Sequence, residues 1–337
     1  MTSNPAPNGG PDPGYTLVVP RRVVPTPAPP RRAHRGPGPA FGVLVVLVLL
    51  VGLLLCWLAT GLLSLSLPGY GDRVNVLVLG VDRRDGTDWA SRTDTIMIAT
   101  LAPAARNAGL LSVPRDLQLP IPTVGEDRIN TANVYGYLNG YPGGGPALAR
   151  ATVEANFGIP IAGSIMLDFR TFERIVDSLG GIDVDVPEAL HDTRYPDPRP
   201  EDPYAFKTID FDAGRQHMDG QRALEYARSR MSTSDFDRAR RQQMILLAIR
   251  QKALSLGAIP RWPAAVAAVL GGIKTDLNPI QLAALARLAV TIGPSRLEQR
   301  VIEAPLVYDY RRPDGAAVQL PNWELLGPMI QEMFGAH

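Results

Sequence analysis

The sequence predicts an α/β or α+β fold, a sheet covered by helices, carried behind a single membrane-spanning helix. One observation is a long charge-free apolar run near the N-terminus. The second is that short β-branched runs and helical patterns interleave along the rest of the chain, with no internal repeat. The third is size: 337 residues, 45% hydrophobic and 20% charged, are enough for a proper core in one large domain or two small ones.

Residues 1–39 are rich in Pro, Gly and Arg. They carry too little apolar surface to offset their chain entropy and are expected to be disordered. AFGVLVVLVLLVGLLLCWLATGLLSLSL follows at residues 40–67, and no charge lies between Arg35 and Asp72. This run exceeds the roughly 20 residues that span a bilayer as a helix. It is too long for a signal-peptide core, and no clear small-x-small cleavage site follows it, so it reads as a retained anchor. Arg21, Arg22, Arg31, Arg32 and Arg35 precede it. The positive-inside rule then keeps the tail cytoplasmic and places residues 72–337 on the outer face.

That outer segment opens with strand signals. VNVLVLG (74–80), DTIMIATLA (94–102) and GLLSVPRD (109–116) are apolar runs joined by polar or turn-forming links. Helical patterns follow at 143–158 and at 169–181, the second stopping on a Gly pair that suits a C-cap. IDVDVP (182–187) alternates like a half-exposed strand, and 191–206 reads as a Pro-rich loop. Asp219 is placed to cap a short helix through Tyr226, and Ser234 or Asp235 a longer one to about Leu256. Two Ala/Leu-rich helices (262–272 and 278–292), a strand at VIEAP and a last helix at WELLGPMIQEMF complete the chain.

Charge excludes some functions. Lys+Arg is 34 against Asp+Glu 33, so any basic site is local, and the whole chain offers no attraction to nucleic acid. Cys56 is the single cysteine and there are four histidines, widely spaced. A disulfide framework and a cysteine zinc cluster are excluded.

Two groups of charged residues stand out. Asp82 follows the first strand and Asp94 opens the second; with the strands as antiparallel neighbours, the two carboxylates meet at one sheet edge. The third strand returns there and ends at Arg115-Asp116, so Asp82, Asp94, Arg92 and Arg115 gather in one place. Two carboxylates without histidine suit a hard cation such as Mg²⁺ (or Mn²⁺), held together with water and phosphate oxygens. The alternative is that these are turn and cap residues. In ALEYARSRMSTSDFDRARRQQ (223–243), Arg228 and Arg230 point to one side if the segment is extended. Arg238, Arg241 and Gln242 share a face of the next helix. Guanidinium groups facing one point suit a phosphate or pyrophosphate; the alternative is a solvated, salt-bridged helix face. Arg222 and Arg240 read as surface residues.

NVLVLGVDRR (75–84), SRTDTIMIATL (91–101), LLSVPRDLQLPIP (110–122), RINTANVYG (128–136), VDSLGGIDVDVP (176–187) and HMDGQRALEYARSR with DFDRARRQQ (217–243) together resemble the LytR-CpsA-Psr family of cell-wall glycopolymer transferases. The resemblance covers most of 72–337 and implies an αβα domain, with a mixed central sheet flanked by helices and an apolar groove for a polyprenyl chain. It implies transfer of a glycopolymer from a polyprenyl-pyrophosphate carrier to a muramic acid hydroxyl of peptidoglycan through a phosphodiester link. By motif, Asp82 and Asp94 would hold Mg²⁺, and Arg115, Arg228, Arg230, Arg238 and Gln242 would clamp the pyrophosphate. Arg92 and Arg128 would join the same shell. The family's YVRFR pattern stands here as YARSR, smaller at Ala227 and Ser229. The sequence does not identify a general base for the acceptor hydroxyl; one of the two aspartates, Asp94 when no metal holds it, is a candidate. Helices 262–272 and 278–292 are either walls of the lipid groove or ordinary packing against the sheet. Two other functions fit the same residues: a non-catalytic polyprenyl-phosphate-binding module, which needs no metal pair, and a pyrophosphate hydrolase with water as acceptor.

Overall fold

The apolar run that begins at Val74 forms the middle of a six-stranded sheet. The computed structural model describes residues 73–83, 89–197, 201–202, 204–230 and 234–335. The tail (1–39) and the anchor (40–67) expected from the sequence lie outside them. Among the described residues no single helix is long and apolar enough to cross a membrane.

The sheet strands are β1 (Val74–Val81), β2 (Thr93–Ala102), β3 (Asn107–Ser112), β4 (Gly163–Asp168), β5 (Lys274–Thr275) and β6 (Leu297–Val301), in spatial order β5-β4-β1-β2-β3-β6. β1, β2 and β3 are consecutive antiparallel neighbours, as expected, while β4 lies parallel to β1 and β6 parallel to β3. The sheet is therefore mixed. Helices α1 (Ala132–Leu138), α2 (Gly144–Phe157), α3 (Phe169–Ser178), α4 (Gly220–Arg228), α5 (Asp235–Ala253), α6 (Trp262–Gly272), α7 (Pro279–Thr291) and α8 (Trp323–Phe334) surround it.

β1 is buried along nearly its whole length because both of its faces are covered. Leu77, Leu79 and Val81 join Leu148 and Val153 of α2 and Leu326 and Ile330 of α8 in one cluster. Val74 and Val76, with the opposite parity, pack with Leu277 and with Leu282 and Leu285 of α7. A third cluster joins α3, α4 and α5 to the strand Ile182–Val186 and the hairpin of Leu190–Pro196 with Phe206–Phe211.

Local signals set most helix ends. Asp168 caps α3 by accepting from Thr171 N, and Asp219 caps α4 by accepting from Arg222 N. Ser234 and Asp237 form a reciprocal capping box at the start of α5. After α3 the chain turns on Gly180 and Gly181, with φ of 78° and 77°, in the left-handed region where glycine is favoured. Gly220 lets α4 approach α3 closely: a Cβ there would stand 2.4 Å from Glu173 O. Its amide donates to Asp177 Oδ1 at 2.7 Å.

Several expectations need correction. The Pro-rich stretch 191–206 is not simply a loop; Leu190–Pro196 is a strand paired antiparallel with Phe206–Phe211. Cross-strand burial of Tyr195, Ile209 and Phe211 outweighs the turn-forming composition. The strand expected at VIEAP lies earlier, at Leu297–Val301, where it pairs with β3. The third strand ends at Ser112 rather than at Asp116. Helix α1, strand Gly214–Met218 and the hairpins 118–128 and 307–321 carry periodicities too short to read from sequence.

Asp168 also takes Arg83 (Nε to Oδ2, 2.9 Å). Burial alone would raise its carboxyl; the bonds from Thr171 and Arg83 outweigh that and hold it below the usual value of 3.8. A lowered carboxylate contributes stability above its unfolded pKa and loses it as pH falls through the folded one. Asp168→Ala removes the cap and should cost about 1–2 kcal/mol in urea unfolding at pH 7. The deficit relative to the native chain should shrink below about pH 4.

Candidate active site at the edge of the sheet

The first three strands do bring their charged ends to one edge. β1 ends beside the start of β2, and a bulge lies between them: Gly80 faces Thr95 and Val81 faces Thr93. Asp94 is thus the extra residue of β2, and such a bulge re-aims its side chain. Past β3, Val113 N still bonds Ile96 O, and the turn that follows brings Arg115 back. Arg115 Nη1 donates to Asp94 Oδ1 at 2.6 Å. The turn is itself pinned, because Asn130 N donates to Arg115 O and Ile129 N to Leu117 O. Asn133, fully buried, donates to the carbonyls of Trp89 and Ser91 and so fixes the approach to β2.

Arg228 and Arg230 reach the same edge from the other side. The condition of one extended segment is not met for the pair: Arg228 is the last residue of α4, and Ser229 and Arg230 lie just past its end. Arg228 Nη2 donates to Asp82 Oδ2 at 3.2 Å, and Arg230 Nη2 stands 3.7 Å from Asp94 Oδ1. The Arg228 guanidinium lies 4.0 Å over the Phe169 ring and donates to Tyr195 Oη at 3.3 Å. Neither aromatic residue carries a legible signal in the sequence, since their nearness to Arg228 is purely tertiary.

The turn between the two arginines is held from beneath. Ser229, fully buried, donates its hydroxyl to Asp192 Oδ2 at 2.7 Å, and Arg230 N donates to the same oxygen. Arg241 donates Nε to Tyr226 O at 3.0 Å and Nη2 to Ser229 O at 2.5 Å. Arg241 is therefore a buried support of the turn rather than part of the charged edge. The small Ala227 and Ser229 of YARSR are buried too, so they do not line the edge.

Arg238 and Gln242 share a small cavity of about 20 Å³ with Asp94, Arg115 and Asp235. Gln242 Nε2 lies 3.5 Å from Ala227 O. Burial pulls the Arg238 guanidinium down to about 10, opposed by Asp235 and assisted by Arg230 and Arg115. It remains a cation at neutral pH. Burial also works against the charge of Arg115, yet its bond to Asp94 and the fields of Asp94, Asp116 and Asp235 leave it raised. Arg230 is lowered by burial and by the nearby Arg115. Arg115 Nε and Arg238 Nη1 are buried donors with no hydrogen bond. Each stands within ion-pair distance of Asp235, at 3.4 and 3.3 Å, but outside hydrogen-bond geometry. Unspent buried donors on two cations suit an anion with several acceptor oxygens.

The other expected members are placed differently. Arg128 donates to Ala317 O at 2.6 Å and joins the cluster only through Asp116, 3.5 Å from its Nε. Arg92 is exposed and pairs with no carboxylate among the described residues. Arg222 bonds Glu225 and the Asp210 carbonyl, and Arg240 pairs with Asp237 and Glu303, as befits surface residues.

For a metal, the donor set is the test. Asp82 and Asp94 are half-exposed hard oxygen donors at one edge, and arginines occupy Oδ2 of the first and Oδ1 of the second. Each keeps one oxygen without a partner among the described residues. Two such carboxylates fit Mg²⁺, which retains waters and takes substrate phosphates; they do not make an all-protein cage. Accordingly, no group of three or more His, Cys, Asp or Glu side chains placed to hold a metal occurs among the described residues.

Comparison with known proteins agrees with this architecture. The chain is 32% identical over 216 residues to the polyisoprenyl-teichoic acid–peptidoglycan teichoic acid transferase TagU of Oceanobacillus iheyensis, covering 64% of this chain and 62% of that protein. It is 30% identical to the corresponding transferase TagT of Bacillus subtilis, covering 61% of each. The chain thus spans about three fifths of the length of these curated relatives. Among solved structures, B. subtilis TagV superposes with a TM-score of 0.60 at 25% identity, covering 79% of this chain and 98% of that one. TagT bound to LIIa-WTA has the same fold, with a TM-score of 0.59 at 24% identity over 80% of this chain and 94% of that one. The model of the LytR_cpsA_psr family matches residues 63–326, and the chain belongs to the LytR-CpsA-Psr family.

Proposed function

We propose that the chain is a membrane-anchored transferase acting on the outer face of the membrane. It moves a glycopolymer from a polyprenyl-pyrophosphate-linked donor to a peptidoglycan hydroxyl. One observation carries this reading: Arg115, Arg228, Arg230 and Arg238 converge with Asp82 and Asp94 on one open sheet edge. The names of the relatives, teichoic acid–peptidoglycan transferases, support the reaction class and the acceptor. The charge-free run 40–67 supports the anchor.

The residue types suit phosphoryl transfer. The acceptor hydroxyl attacks the phosphorus that carries the glycopolymer, a phosphodiester forms, and polyprenyl phosphate leaves. Arg115, Arg228 and Arg230 orient the pyrophosphate by paired charge-assisted bonds. Arg238 adds a buried cation from behind. As charge spreads over the transferring group and onto the leaving phosphate, these preplaced cations stabilise it without reorganising. Asp82 and Asp94 would hold Mg²⁺ (or Mn²⁺) through their free oxygens. When bound, that cation supplies charge neutralisation at the phosphate oxygens. When no cation holds it, Asp94 Oδ2 is a free carboxylate oxygen at the same edge that can take the hydroxyl proton.

The test uses the full chain in nanodiscs with a labelled lipid-linked donor, with and without peptidoglycan fragments. Label should appear on peptidoglycan, stop with EDTA and return with added Mg²⁺. Release at a comparable rate without acceptor would make the protein a hydrolase. Donor binding without any turnover would leave only a lipid-binding module. Arg228→Lys should weaken donor binding roughly tenfold, because an ammonium reproduces neither the planar fork nor the stacking on Phe169. Titration with the labelled donor checks it, and unchanged affinity counts against the clamp.

A further inference from the structure

Helix α6 is apolar on every side and yet stands largely in solvent. WPAAVAAVLGG has no charged residue, and none of its residues is buried. Trp262, Val266 and Leu270, spaced at i, i+4 and i+8, are 40%, 54% and 55% exposed. The segment before it extends the stripe, with Leu254, Leu256 and Ile259 also exposed. From Ala253 to Ile273 the only charged residue is Arg261. An all-round apolar helix is normally buried, and a contiguous exposed apolar patch marks a contact surface.

We propose that this stripe lies in the outer surface of the lipid bilayer, as a second membrane contact beside the N-terminal anchor; the proposal rests on the anchored reading above. The chain outside the structure argues for lipid. Five residues, 68–72, separate the apolar run 40–67 from Arg73, where the described chain begins. Fully extended, those residues reach no more than about 20 Å. The domain is therefore held against whatever surface the run enters. Arg73 stands at the end of β1 opposite the charged edge. α3 leads away from that edge for about 15 Å. At its far end Leu179 O accepts from Arg261, beside Trp262. Arg73 and the Trp262 end of the stripe are thus both displaced from the site.

The local chemistry agrees. The helix is about 16 Å long, too short to cross a bilayer and suited to lying in its interface. Trp262 Nε1 donates to Ala253 O at 2.8 Å, so its ring can enter lipid without leaving an unmet donor. The one charge is a cation, compatible with anionic headgroups. Gly272 at the other end touches Thr171 in the first turn of α3, next to Phe169 and Arg228. The stripe thus runs from Trp262, far from the charged edge, to Gly272, close to it.

Tryptophan quenching in vesicles tests this. The full chain is reconstituted in phosphatidylcholine–phosphatidylglycerol vesicles doped with dibrominated phosphatidylcholine. Two single-tryptophan proteins are compared, one keeping Trp262 and one keeping Trp57 of the anchor, with phenylalanine at the other tryptophan positions. Bromolipid should remove about half of the Trp262 emission. V266Q/L270Q in the Trp262 protein should reduce that loss and shift its emission to the red. If Trp57 is quenched and Trp262 is not, the anchor stands and the stripe proposal falls. If Trp262 is quenched and Trp57 is not, the stripe stands and the anchored reading fails. Shielding of Trp262 from acrylamide without quenching by bromolipid would mean that a second copy covers the stripe, and would overturn the proposal.

Discussion

Asp82→Ala should lower polymer transfer by at least about 100-fold while leaving donor binding measurable. The carboxylate lies at the edge, its Oδ2 takes Arg228 at 3.2 Å, and its other oxygen is free. Removing it takes away half of the proposed cation site and frees one arginine. The arginines proposed to grip the donor remain, so affinity should survive where turnover does not. Asp82→Asn keeps the shape and the bond to Arg228 but loses the charge, and it should fail to recover with added Mg²⁺. Transfer at the native rate by either variant, with purified donor and acceptor, would end the metal role. Loss of donor binding together with transfer would instead mean that Asp82 acts by placing Arg228.

Arg241→Ala should be the most damaging change away from the open edge. The side chain is buried and spans two carbonyls at the end of α4. Losing it leaves Tyr226 O and Ser229 O without those donors and opens a void, a cost of about 3–5 kcal/mol in chemical denaturation. The turn it supports carries Arg228 and Arg230, so donor affinity should fall in protein that remains folded. Arg241→Met fills part of the volume without the bonds. Met should therefore regain some stability and little affinity. Equal recovery of both would show that packing, not the pair of bonds, places the turn.

Much of the fold is written in local patterns. The near-continuous apolar, β-branched runs of Val74–Val81 and Thr93–Ala102 mark the central strands, because a doubly covered sheet needs apolar residues on both faces. Capping residues Asp219 and Ser234 mark the starts of α4 and α5 through bonds closed within three residues. Short paired strands were not legible in the same way. Leu190–Pro196 takes its conformation from its partner Phe206–Phe211, and nothing in its own composition announces that partner.

The site divides along the same line. Residue order placed Asp82, Asp94 and Arg115 at one sheet edge on the condition that the first three strands are antiparallel neighbours, and they are. It also set apart the arginine-rich stretch 222–243, as either an anion clamp or a solvated helix face. Only the tertiary structure decided what each arginine does there. Arg228 and Arg230 reach the edge because a helix end delivers them, Arg241 turns inward to hold that end, and Arg128 is drawn to the 307–321 hairpin. The physical reason is reach: a guanidinium on a long flexible stem can serve a ligand, a carbonyl or a neighbouring carboxylate. Which it serves depends on partners supplied by distant segments, such as Asp192 beneath Ser229 and Phe169 beneath Arg228.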